Sequence, residues 1–199
     1  GYNDEVLYDE ISSASAIRLA ISEGKKKKVK KCVPDFVYND LPDVLPSVDD
    51  LIFYAAIKST GEQLEKVLDC TEGLENRIKA LTRDCDCLTC LVDKIKTKRY
   101  TKTRLNRILL ANMLGIDEKL VRRCLNSELY LKILAVDKNK TEILSLLQGE
   151  NDVPMLTRKS DFKKLSGVAK DCFLKDVTAM EIFDFAAKTK TNEFDMKIV

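Results

Sequence analysis

Between Lys94 and Arg107 the chain carries seven cations, Lys94, Lys96, Lys98, Arg99, Lys102, Arg104 and Arg107, and no acid. The formal net charge of all 199 residues is only +2, so this stretch is a local imbalance that the rest of the chain offsets. Lysine and arginine neutralise phosphates and release their counterions, and Tyr100 in their midst offers a face on which an unpaired base stacks. The chemistry is recognition of a polyanion, with tRNA as the leading candidate. The plainer reading is a solvated face paired with acids such as Asp84, Asp86 or Asp93.

Three other constellations have chemical potential. Ser12, Ser13 and Arg18 stand at the start of a short apolar pattern. Hydroxyls and backbone N–H groups at a helix N-terminus cradle phosphates, although a plain N-cap explains the serines equally well. Lys25 to Lys31 holds six lysines in seven residues, which suits a phosphate backbone or, as plausibly, a solvated segment. Cys85, Cys87 and Cys90, with Cys70 further upstream, supply four soft ligands. Yet they lie on an amphipathic pattern and lack paired Cys-x2-Cys knuckles, so no metal is expected. The chain has no histidine at all, which removes the commonest general base and every His-containing metal site. Its seven glycines are isolated, so no glycine-rich phosphate loop is present. No catalytic residue is expected in this chain.

These residues need supports. Thr101 or Thr103 opens a helix to Leu114, with Gly115 as its stop. Arg104 and Arg107 then share one face, while Leu105, Ile108 and Leu109 form the buried one. Apolar residues at i, i+3, i+4 spacing predict further helices over 48–58, 61–69, 74–83, 88–96 and 118–125. Upstream, Ser12 or Ser13 caps a helix ending at Gly24. Pro34, Pro42 and Pro46 punctuate the best candidate boundary, 34–46. Beyond Leu129 the pattern changes. Leu129 to Val136 is a strand-length run, 140–148 a helix and 153–157 a second strand, which makes one βαβ unit with parallel strands. Two helices, roughly 160–172 and 175–188, lead to a third strand at 194–199.

The fold class expected is mostly α, a helical domain followed by a small α/β unit with two or three strands. A chain of this length buries roughly 70% of its unfolded surface. With 45% apolar and 33% charged residues it is neither disordered nor fibrous. Its acidic N-terminus is no signal peptide, and the longest apolar stretch, 108–116, falls short of the ~20 residues of a membrane span. Seven unevenly spread cysteines read as reduced thiols. A cytoplasmic protein without membrane contact is expected, and a start at Gly1 rather than Met suggests a fragment.

Several segments occur in a telling order: Ile11-Ser12-Ser13-Ala14-Ser15-Ala16-Ile17-Arg18, Glu72-Gly73-Leu74-Glu75-Asn76-Arg77-Ile78, and Lys96-Thr97-Lys98-Arg99-Tyr100-Thr101-Lys102-Thr103-Arg104 followed by Leu109-Leu110 and Leu114-Gly115-Ile116. Together they resemble the bacterial tRNA(Met) cytidine acetate ligase family, a HIGH-type nucleotidyltransferase-like group, over nearly the whole chain. The resemblance implies an N-terminal domain with a His-x-Gly-His motif that activates acetate with ATP and Mg2+ as acetyl-adenylate. It implies transfer of the acetyl group to N4 of the wobble cytidine of elongator methionine tRNA. This sequence has no such motif, which would lie upstream of Gly1, so it corresponds to the C-terminal portion.

On this basis residues 1–33 end the nucleotidyltransferase-like domain, 34–126 form a helical tRNA-binding region and 127–199 a small α/β unit. Ser12, Ser13 and Arg18 are then candidates for the ATP phosphates, with Ala14 where related enzymes often have Thr. Lys96, Lys98, Arg99, Tyr100, Lys102, Arg104 and Arg107 are candidates for tRNA. The full-length protein would be a carbon–nitrogen ligase using ATP and acetate. The chain alone would be inactive, with no cofactor of its own. The alternatives are a free-standing nucleic-acid-binding helical module and a helical domain whose basic patch meets an acidic protein.

Overall fold

The computed structural model describes residues 6–8, 11–150, 153–190 and 196–198. Two compact units divide the chain, 1–47 and 48–199.

In the first unit, helix α1 (Ala14–Ser22) begins where the Ser13 hydroxyl accepts a hydrogen bond from the Ala16 N–H at 3.0 Å. It stops before Gly24, whose φ of +72° turns the chain away. Helices α2 (Lys26–Val29) and α3 (Asp35–Asp40) follow. Ala20, Ile21 and Val29 form a small core with Ile17, Val33, Leu41 and Leu45 packed against it. The single apolar residue of the lysine run therefore anchors that run. The acidic residues 1–5 lie outside the described residues.

The second unit is a helical array followed by a small α/β unit, and the whole is mostly α. Its helices are α4 (Asp49–Lys58), α5 (Gly61–Glu65), α6 (Leu74–Thr82), α7 (Leu88–Ile95), α8 (Lys102–Leu114) and α9 (Glu118–Leu125). Leu64, Leu74, Ile78, Leu91, Ile95, Leu105, Ile108 and Leu109 are fully buried in one core. Each sits where the helical period places an inward side chain. Two ends differ from expectation. Helix α4 starts at Asp49 with Val48 at the N-cap position. Helix α5 ends at Glu65 rather than near Asp69, and Asp69 itself takes a left-handed φ of +68°, outside any right-handed helix.

Downstream lie β1 (Leu131–Lys132), β2 (Ala135–Val136), α10 (Ile143–Glu150), β3 (Met155–Leu156), a 3-10 helix (Lys159–Lys164), α11 (Gly167–Ala187) and β4 (Lys197–Ile198). The expected parallel pair joined through a helix is present: β1 pairs with β3 in the register Leu131 to Met155. The run expected as a single strand changes partner midway, so β2 pairs with β4 instead, again in parallel. Residues 194, 195 and 199 of the expected last strand lie outside the described residues.

The two helices expected between 160 and 188 are one long helix after a 3-10 turn. Nothing between Cys172 and Lys175 breaks a helix, and Ala169, Phe173, Val177 and Met180 continue one apolar stripe onto Leu156 and Leu165. Tyr130 meets Phe173 edge-on at 5.7 Å between ring centroids. Lys175 ties this layer to the helical array by donating to the Leu114 carbonyl at the end of α8, 2.9 Å away. Among the described residues no helix is long and apolar enough to cross a membrane.

Candidate nucleic-acid interface

Helix α8 supports the basic segment as the apolar spacing requires. The Thr101 hydroxyl caps its N-terminus, accepting from the Arg104 N–H at 3.3 Å, and Leu105, Ile108 and Leu109 bury the opposite face. Gly115 ends it in the left-handed conformation, with φ +62°. The preceding residues 96–101 turn tightly, the Tyr100 N–H donating to the Thr97 hydroxyl at 3.0 Å. The cations are thus displayed on a capped helix and a hydrogen-bonded turn rather than on loose chain.

The seven cations divide into two groups. Lys96, Lys98 and Lys102 are exposed, and their side chains make no hydrogen bond or ion pair among the described residues. The other four have protein partners. Lys94 donates through Nζ to the Asp84 carbonyl at 2.6 Å. Arg99 pairs with Glu72. Arg104 donates through Nη2 to the Asp69 carbonyl at 2.7 Å. Arg107 lies 3.9 Å from the Asp69 carboxylate. The acids met are therefore Asp69 and Glu72, not the carboxylates of Asp84, Asp86 or Asp93. Both ion pairs are well exposed, so each is worth roughly 0–1 kcal/mol and yields readily to a phosphate.

Tyr100 differs from the stacking platform its type suggests. Its side chain is only 8% exposed, it belongs to the helical core, and its hydroxyl donates to the Thr71 carbonyl at 3.3 Å. The Arg104 guanidinium covers the ring, 5.3 Å from its centroid. Tyr100 and Arg104 together hold the loop 69–73, which carries left-handed residues at Asp69, Glu72 and Gly73. They position the cationic surface and its acidic counterpart. Nothing local in the sequence marks Asp69 and Glu72 as that counterpart, because they meet the segment from about 30 residues upstream.

The lysine run and the serine element lie in the first unit. Lys26 pairs with Asp43 at 3.0 Å and sits 5.6 Å from the Tyr38 ring, while Lys25 pairs with Glu23 at 2.6 Å. The Ser13 hydroxyl is committed to its capping bond, and the Ser12 hydroxyl donates to the Tyr8 carbonyl at 2.9 Å. Arg18 is exposed, without a partner among the described residues. It remains available for an anion.

The thiols show no metal-binding geometry. Cys85 and Cys90 are 3.1 Å apart, Cys87 serves as the N-cap of α7, and no three candidate ligands gather among the described residues. Burial above all, then the neighbouring Cys90 thiol, pushes the Cys85 thiol up from its ordinary value. Burial likewise pushes the Cys70 thiol up to about 11. Neither is a ready nucleophile at neutral pH.

A family model described as HIGH nucleotidyl transferase matches residues 1–197. The chain belongs to the HIGH nucleotidyltransferase family. Within it, the chain is 29% identical over 94% of its length to a tRNA(Met) cytidine acetate ligase of Caldanaerobacter subterraneus subsp. tengcongensis, covering 48% of that protein. It is 32% identical over 92% of its length to the ligase of the same name from Clostridium perfringens, covering 46% of it. The chain spans about half the length of the curated relatives it matches. The fold of this family member is also similar to two crystal structures of Thermotoga maritima TmcAL, each at 20% identity and covering 53% of that chain. The apo form aligns at a TM-score of 0.86 over 99% of this chain, and the form bound with alpha-thio ATP at 0.84 over 97%.

Proposed function

We propose that this chain is the tRNA-holding portion of an ATP-dependent tRNA(Met) cytidine acetate ligase. The observation that carries the reading is the trio Lys96, Lys98 and Lys102, exposed and unpaired among the described residues on a rigid support. Arg99 and Arg107 add to it when phosphates replace Glu72 and Asp69. Names of relatives across the family agree with it. In the whole enzyme, ATP with Mg2+ activates acetate as acetyl-adenylate, and the acetyl group passes to N4 of the wobble cytidine of elongator tRNA(Met). Ser12, Ser13 and Arg18 are assigned to the ATP phosphates, Arg18 by direct contact and Ser13 by fixing the first turn of α1. The reacting groups are supplied by residues this chain does not contain.

Binding of an elongator tRNA(Met) transcript across a salt series tests this. The triple substitution Lys96→Ala, Lys98→Ala, Lys102→Ala is expected to flatten the slope of log affinity against log salt by about 2–3. An affinity indifferent to salt, or a triple variant that binds like the parent, would overturn the reading. With ATP and acetate added, the 199-residue chain alone should yield no N4-acetylcytidine by nucleoside mass spectrometry.

A further inference from the structure

At the opposite end of α8 from the basic segment lies a cleft of about 680 Å³ that the lysine surface does not use. Its walls come from α4, the α4–α5 turn, α5 and the two residues that follow it, the C-terminal end of α8 with the turn to α9, and one residue of α11. The floor is apolar, with Leu51, Ala55, Val67, Met113 and Ile116 among its residues. Three features set it apart from an ordinary surface fold.

The first is Tyr54, an aromatic side chain left 61% exposed on the cleft wall. The second is a pair of cations, Lys58 and Lys66, which make no ion pair among the described residues. The lining acid, Asp117, is already committed, its carboxylate accepting from the Leu120 N–H at 2.7 Å to cap α9. The third is Asn112. The Ser59 hydroxyl lies 2.8 Å from the Ala55 carbonyl and 3.0 Å from Asn112 Oδ1, yet a hydroxyl has one proton to give. The other amide atom, Nδ2, is buried with no partner. Turned over, the amide donates to the Ser59 hydroxyl, which gives its own proton to the Ala55 carbonyl, and only the buried amide oxygen is left without a partner. That atom is out of a ligand's reach, but Asn112 lines the cleft, so its amide signal reports on what enters it.

An apolar slot with an exposed aromatic and two cations that have no ion pair among the described residues is complementary to a planar heterocycle carrying an anionic group. We infer that the cleft binds a single unpaired nucleotide, its base against Tyr54 and beside Asn112, and its phosphate on Lys58 and Lys66. For an RNA source this rests on the RNA-holding reading above. A free mononucleotide has the same chemistry. The distance fits a strand running along α8, since the eleven residue steps from Thr101 to Asn112 span roughly 16 Å. One tRNA would thus be held by its backbone at one end of the helix and by an extruded base at the other.

The test uses the 199-residue chain with side-chain amides labelled for NMR, and three probes: a single-stranded hexacytidylate, cytidine monophosphate, and a fully paired RNA duplex. The hexanucleotide is expected to shift the Asn112 amide resonance, and Tyr54→Ala to weaken its binding about tenfold. Tyr54 is exposed, so this variant keeps its fold, and Lys58→Ala gives a second, independent loss. The duplex should bind through the lysines without moving the Asn112 signal. A shift with cytidine monophosphate but not with the hexanucleotide keeps the nucleotide site and assigns it to a free ligand. If single-strand affinity is unchanged in both variants while the salt-dependent binding persists, the cleft proposal falls and the RNA-holding reading stands. If only the Lys96, Lys98 and Lys102 substitutions are silent, the reverse holds. A wild-type Asn112 amide that stays still under saturation with every probe overturns the cleft proposal outright.

Discussion

Arg104 joins two jobs that its residue type alone would not separate. Its Nη2 holds the Asp69 carbonyl, its guanidinium covers Tyr100, and its Nε is buried without a partner. Arg104→Ala should therefore destabilise the fold by about 1–3 kcal/mol in urea titrations, whereas Lys98→Ala stays within about 0.5 kcal/mol. Loss of RNA binding in the first variant would then follow from loosening of the loop, and loss in the second from a missing charge. Asp161 supplies a pH-dependent counterpart. Burial pushes its carboxyl up, but the Thr157 N–H, Lys164, the Thr157 hydroxyl and the Arg158 N–H together outweigh this and hold it at about 2. A folded value below the unfolded one, about 3.9, means stability that is present above pH 4 and lost as the pH falls towards 2. Asp161→Asn should flatten that part of the stability profile. At this scale the sequence marks which side chains carry charge, but not which are engaged. The burial of Tyr100 depends on the chain folding back onto Thr71, a contact no local pattern encodes.

Among the elements, α8 was readable through its inward Leu105, Ile108 and Leu109 to Gly115, since each signal is local, while its cap was open between Thr101 and Thr103 and is Thr101. The run 131–136 divides because two different strands claim it, a choice of partner that no local pattern encodes. The close of α8 allows a direct test. At Gly115 the backbone has φ +62°, and an added Cβ would lie 3.1 Å from the movable Nζ of Lys175. The cost of Gly115→Ala is therefore backbone strain rather than a clash, about 1 kcal/mol, or a melting temperature lower by about 2–4 °C in a thermal scan. Lys175→Met, which removes the donor to the Leu114 carbonyl, should be of similar size.

For the whole molecule, the mostly α class and the parallel strand pair followed from periodicity and run length. What the sequence hides at this scale is the pairing of surfaces: Asp69 and Glu72 with the arginines, and Tyr54 with Asn112 across the cleft. Each unit has its own core. A fragment of residues 48–199 is accordingly expected to unfold cooperatively and to bind tRNA with the same salt slope as the whole chain. A shallower slope for the fragment would assign phosphate contacts to Lys25–Lys31, where Lys25 and Lys26 are already paired with Glu23 and Asp43.

The left-handed residues of the loop 69–73 also bear on how this surface can diversify. Asp69 at φ +68° and Glu72 at φ +62° occupy a conformation that β-branched side chains resist and that Asn and Gly accept. The two acids facing Arg107 and Arg99 can be exchanged for neutral or smaller residues without rebuilding the backbone, but not for Val or Ile. Charge at this rim is thus an adjustable trait on an inherited shape. Single substitutions in descendants of the sequence can raise or lower the charge of this rim and leave the helices untouched.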